Sequence, residues 1–167
     1  MSHFPRAMIA ALLPFLLYAG TAAAVEQQLE TRFSCSAART VDGEPVTYAD
    51  IGEIRIKGNQ IDAFRWESAL FRSTHGFDCS IDESDGLLAE MRDASPAVQW
   101  RIALENAREA RTRRGYDYDR RLNCTIRLER EGNRLAMKPS CPALCGSRPN
   151  FSELSVDLKT GQCRYEE

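Results

Sequence analysis

The chain has 167 residues, enough for one domain with a sizeable core. Its 22 basic and 24 acidic residues leave a formal net charge of −2, which excludes the broad basic footprint of a nucleic-acid-binding protein. Lys57, Lys138 and Lys159 are the only lysines among many arginines, a skew that suggests a GC-rich coding sequence and a bacterial source.

Residues 1–24 read as a cleaved secretion signal. Arg6 supplies a positive start, Ala7 to Tyr18 is an apolar run too short to span a bilayer, and Thr21-Ala22-Ala23-Ala24 offers the small residues that signal peptidase needs. No second long apolar run follows, so no transmembrane segment is expected in the mature chain. Residues 25–167 then form a single domain working in the periplasm or secreted beyond it.

The first clear element is a hairpin. Apolar and charged residues alternate through Glu53-Ile54-Arg55-Ile56, Gly58-Asn59 turns the chain, and Ile61, Ala63, Phe64 and Trp66 resume. Phe77, Cys79 and Ile81 make a shorter strand, and Asp82-Glu83-Ser84-Asp85-Gly86 reads as a polar turn without the ordered ligand spacing of a calcium loop. Ser95-Pro96 suits a helix start, and the composition from Ala97 to Arg114 favours a helix over about 96–113. Val98, Trp100, Ile102 and Leu104 also alternate as a strand would, and the longer window favours the helix. A second hairpin has Leu122, Cys124, Ile126 and Leu128 facing inward, turns at Gly132-Asn133 and returns through Leu135 and Met137. A third runs through Leu154, Val156 and Leu158, turns at Lys159-Thr160-Gly161 and ends at Cys163 and Tyr165. The expected fold is therefore β-rich α+β: mainly an antiparallel sheet of hairpins, barrel- or sandwich-like, with one helix.

Cys35, Cys79, Cys124, Cys141, Cys145 and Cys163 all lie in the mature part, and an even count in an exported chain reads as about three disulfides. Loop length favours Cys145–Cys163 and Cys124–Cys141, leaving Cys35–Cys79. The alternatives are weaker: there is no CxxC, and only Cys141 and Cys145 are close enough to resemble a zinc-ligand pair.

Neither a catalytic residue, a metal ligand nor a cofactor site is expected. His75 is the one histidine left after the signal, no Gly-x-Ser-x-Gly nucleophile elbow occurs, and disulfides would consume every thiol. A pair of carboxylates acting on envelope glycans is the enzymatic alternative, since counting acidic residues does not exclude it.

Two surfaces are candidates for binding. Arg108, Arg111, Arg113 and Arg114, then Tyr116, Tyr118, Arg120 and Arg121, interleave arginine with tyrosine as interface hot spots do, although a solvated helix end has the same composition. The segment from Cys141 to Phe151, with Leu144 and Arg148, is stiffened by proline and cysteine, which lowers the ordering cost of binding. This design of a small, exported, β-rich domain tied by disulfides is similar in architecture to the bacterial periplasmic lysozyme inhibitors, though no inhibitory-loop motif of theirs occurs here. The expected function is a non-enzymatic binding or inhibitor-type module. Its partner would be an envelope protein, such as a peptidoglycan hydrolase, or an anionic polymer, the alternative being a structural envelope component.

Overall fold

Period-two alternation governs nearly the whole chain, and it builds two antiparallel sheets. The computed structural model describes residues 27–94, 96–113, 124–140 and 150–166, apart from the side chains at 93, 110 and 111. A four-stranded meander comes first: β1 (Gln28–Val41), β2 (Glu44–Lys57), β3 (Gln60–Phe71) and β4 (Gly76–Ile81), paired in chain order. A six-stranded meander follows: β5 (Leu87–Ala94), β6 (Ala97–Leu104), β7 (Thr125–Glu131), β8 (Arg134–Pro139), β9 (Leu154–Asp157) and β10 (Cys163–Tyr165). The described strands form open sheets that pack on each other and do not close a barrel.

The inward residues of both sheets merge into one core. Leu29, Phe33, Ile54, Phe64 and Trp66 from the first sheet meet Trp100, Ile102, Ile126, Leu128, Met137 and Leu154 from the second. Burying each large apolar side chain contributes roughly 1.5–3 kcal/mol, so this shared surface is the main force joining the sheets. Polar contacts fix their alignment: the Trp100 indole donates to the Gly58 carbonyl at 3.0 Å, and the Met91 amide donates to Asn59 Oδ1 at 2.7 Å. The Gly58-Asn59 turn expected from the sequence thus also docks the first sheet on the second.

The expected helix over 96–113 is half strand. Ala97–Leu104 is β6, paired on both sides with β5 and β7, and helix α1 occupies only Ala107–Arg113. Val98, Trp100, Ile102 and Leu104 all turn inward and are buried. Helix-favouring composition lost to this alternation because a helix would pull those four side chains off the common apolar face. Two strands went unread, β5 and β1. The β1–β2 hairpin turns at Asp42-Gly43, where φ is +53° and +79°. Both values lie in the left-handed region that a two-residue hairpin turn requires.

The disulfide pairing also departs from expectation. Cys35 bonds Cys163, so neither Cys35–Cys79 nor Cys145–Cys163 forms. These cysteines are 128 positions apart in sequence, yet their Cα atoms sit 5.4 Å apart because β10 lies against β1. Proximity in the fold, rather than loop length, decided the partner. This is the one disulfide with both halves among the described residues, although Cys79 and Cys124 are disulfide-bonded too. The expected Cys124–Cys141 pair involves a position outside the described residues.

Candidate binding face

The outer face of the six-stranded sheet collects charge that no local segment displays. Along each strand, every second side chain faces away from the core, and the register fixes which of these stand side by side. Arg101 on β6 lies opposite Arg127 on β7, and Arg127 lies opposite Lys138 on β8. Neighbouring strands are about 4.8 Å apart, so three cations form a line crossing the sheet. Like charges directly opposite each other are unfavourable, and the ends of the line are compensated. Glu90, opposite Arg101 on β5, comes within 3.6 Å of its guanidinium, while Glu153 reaches Lys138 Nζ at 2.6 Å. The middle cation, Arg127, is exposed and has no ion-pair or hydrogen-bond partner among the described residues.

Polar side chains frame this line. Thr125 and Ser140 carry hydroxyls on one side, with the Ser140 hydroxyl accepting from the Thr125 amide at 2.9 Å. Gln99 stands on the other side, its amide donating to Glu129 at 3.3 Å, with Arg92 facing it across the strand pair. Together with Pro139 and Glu153 these residues line a concavity of about 430 Å³. A second hollow of about 380 Å³ shares Arg101 and Thr125 with the first and brings in Arg108. Four of the residues lining the first hollow are cationic and one is acidic, so it holds a local positive field inside a chain whose overall charge is −2.

The residues expected to bind are distributed differently. Arg108 is exposed on α1 and borders the basic face, and Arg113 is tied to the turn after β4 by a 3.3 Å bond to the Ser84 carbonyl. The side chain of Arg111, and the whole of Arg114, Tyr116, Tyr118, Arg120, Arg121, Leu144 and Arg148, lie outside the described residues. Phe151 is corrected: it is 1% exposed and belongs to the core, its ring edge-on to Trp66 at 5.0 Å. An aromatic ring next to an indole gains more there than in water, which holds Phe151 at an otherwise costly φ of +59°. In sequence, Arg92 lay in a strand that went unread, Arg101 in the expected helix, and Arg127 and Lys138 in a hairpin. Their convergence depends on register, which neither composition nor spacing shows.

Reactive-looking groups elsewhere are held in local structure. His75 Nδ1 lies 2.7 Å from the Thr74 hydroxyl and its ring stands edge-on to Phe77. Ser73 donates to Glu44 Oε1 at 2.9 Å rather than to a histidine. Asp82 caps the short 3-10 turn at Glu83–Asp85 by accepting from the Ser84 amide, while Asp85 accepts from the Asp82 amide.

Asp50 is the group that sequence reading missed. It is 1% exposed, and its carboxylate accepts from the Trp66 indole at 2.8 Å and from the Tyr165 hydroxyl at 2.6 Å. Burial pushes its pKa above the ordinary carboxylate range, and Tyr165, Trp66 and Ser68 only partly oppose that rise. Tyr165 is pushed up as well, by burial and by donating to Asp50. No known protein family, curated protein or solved structure matches the chain. The basic line on the six-stranded sheet is therefore judged by its chemistry alone. Fixed cations on a rigid sheet, one of them unpaired among the described residues, suit the capture of an oxyanion.

Proposed function

We propose that the chain is an exported, non-enzymatic binding module working in the periplasm or beyond it, and that it holds an acidic partner against the outer face of the six-stranded sheet. The observation that carries this reading is Arg127, which stands between Arg101 and Lys138 with no ion-pair or hydrogen-bond partner among the described residues. A guanidinium in that position is free to form charge-assisted, bidentate bonds to a carboxylate or phosphate. The Cys35–Cys163 disulfide supports an oxidising compartment, as does the N-terminal run through residue 24.

The same reading implies three disulfides. Cys124 is disulfide-bonded and directly precedes Thr125, which bonds to Ser140, the residue just before Cys141 in the sequence. Asn150 and Phe151 bond to Ser68, whose partner on β4 is Cys79. Cys124–Cys141 and Cys79–Cys145 are the pairs that follow. Peptide mapping without reductant tests them: free thiols at these four positions would count against an exported, stapled module.

The binding role is tested on envelope material from a Gram-negative cell. The oxidised protein should be retained at low salt and released as salt rises. The double charge reversal Arg127→Glu with Lys138→Glu should abolish retention, while Arg164→Glu on β10 should leave it intact. Equal retention of all three proteins would remove the basic face from the function.

A further inference from the structure

Resting on that reading, we propose that the basic face takes the carboxylates of an acidic polysaccharide whose chain lies across β6, β7 and β8. Three features of the lining favour a carboxylated glycan over other acidic polymers. The first is the shape of the charge. Arg101, Arg127 and Lys138 form a line rather than a knot, and at about 4.8 Å per strand it spans about 10 Å. That suits a linear polymer carrying a charge on each unit, with two or three units in register.

The second feature is what flanks the line. Thr125 and Ser140 on one side and Gln99 on the other add hydroxyl and amide groups on the same face. A sugar ring presents hydroxyls on both sides of its carboxylate, so donors and acceptors beside the cations match it. The third feature is the apolar surface available. Trp100 lines the hollow, but it is fully buried with its indole N–H bonded to Gly58, and Pro139 is the remaining large apolar contact. Single-stranded nucleic acid needs exposed aromatic faces for its bases to stack on. A protein partner needs a desolvated anchor pocket at the centre of its interface. Neither is supplied by the residues lining this concavity.

The geometry also assigns unequal roles to the cations. Arg101 and Lys138 are shared with Glu90 and Glu153, so a ligand carboxylate must compete for them. Arg127 has no such competitor among the described residues and should receive the central carboxylate as a bidentate pair.

Calorimetric titration of the purified, oxidised protein with a short oligoguluronate tests this, alongside a neutral cello-oligosaccharide, oligo-deoxythymidine and polyglutamate. Oligoguluronate should bind, more weakly as salt rises, and the neutral sugar should not. Arg127→Gln should weaken binding about tenfold, as expected for one charge-assisted contact, and Arg127→Lys should recover only part of it. Near-UV circular dichroism identical to the parent's confirms that each variant is folded. Unchanged affinity in Arg127→Gln, or equal binding of the neutral sugar, would overturn the proposal. Binding of polyglutamate or oligo-deoxythymidine through Arg127, without oligoguluronate binding, would overturn the glycan assignment and leave the envelope-binding function standing. Failure of every probe while the charge-reversed protein still loses envelope retention would have that same meaning. Failure of both assays would overturn both readings.

Discussion

Asp50 shows how a single side chain couples three parts of the chain. Its carboxylate gathers Trp66 and Ser68 from β3 and Tyr165 from β10, and Ser68 in turn accepts from the Phe151 amide. Removing the Ser68 hydroxyl leaves the buried Phe151 amide short of its acceptor, so Ser68→Ala should cost about 1–3 kcal/mol in urea unfolding. Because its folded pKa is raised, native Asp50 holds its proton more tightly than the unfolded chain does. Its contribution is therefore complete below the ordinary Asp range and is lost as pH rises through the raised folded value. Partly exposed carboxylates such as Glu44 and Glu53, held low by Arg72 and Arg32, act in the opposite direction and lose their contribution in acid. Comparing melting temperature against pH for the parent and Asp50→Asn cancels those groups. The difference should show the parent losing stability relative to the variant as pH rises above about 4. A flat difference would mean that Asp50 titrates normally. Gly52 matters at the same scale: a Cβ there would come within 2.4 Å of the Phe33 ring, which packs on the bare backbone. Gly52→Ala should cost about 1–3 kcal/mol by displacing that ring, measured by denaturant unfolding.

Among the elements, β10 is the one held by other than its own length. With three residues and one strand partner among the described residues it has few ladder bonds, yet it carries Cys163 and Tyr165, which bind β1 and β2 of the other sheet. The disulfide closes most of the chain into one loop, so the double variant Cys35→Ser with Cys163→Ser should lose about 2–5 kcal/mol. Hydrogen exchange should show protection falling first at β10 and at the Trp66 indole. Uniform loss across both sheets would mean that the bridge acts only on the unfolded chain. The β6 strand is held differently, by its neighbours on both sides. Its residues have helical composition, but flanking strands on both sides supplied partners and an apolar floor, which a propensity taken one segment at a time does not include.

For the whole molecule, the two sheets divide the work. Their inner faces share the core, and the outer face of the larger one carries the aligned cations. A rigid sheet suits that role, because strand spacing holds the charges apart at fixed intervals without ordering a loop on binding. The charge-reversal experiment belongs here: the envelope-retention loss expected for Arg127→Glu with Lys138→Glu should come with unchanged unfolding midpoints, since both positions face outward. A large fall in stability would instead mark the row as part of the fold.

What the sequence determined by itself was the class of the fold and most of its turns. Alternation at Glu53 to Trp66 and Thr125 to Met137, with Gly58 and Gly132 at positive φ, is local chemistry that any context must respect. Tertiary structure decided which distant residues meet: Cys35 with Cys163, Asp50 with Tyr165, and Arg101 with Arg127 and Lys138. The physical reason is that pairing register and the stacking of sheets are set by the common burial of all inward faces at once. No single segment contains that information, and the candidate site is built entirely from it.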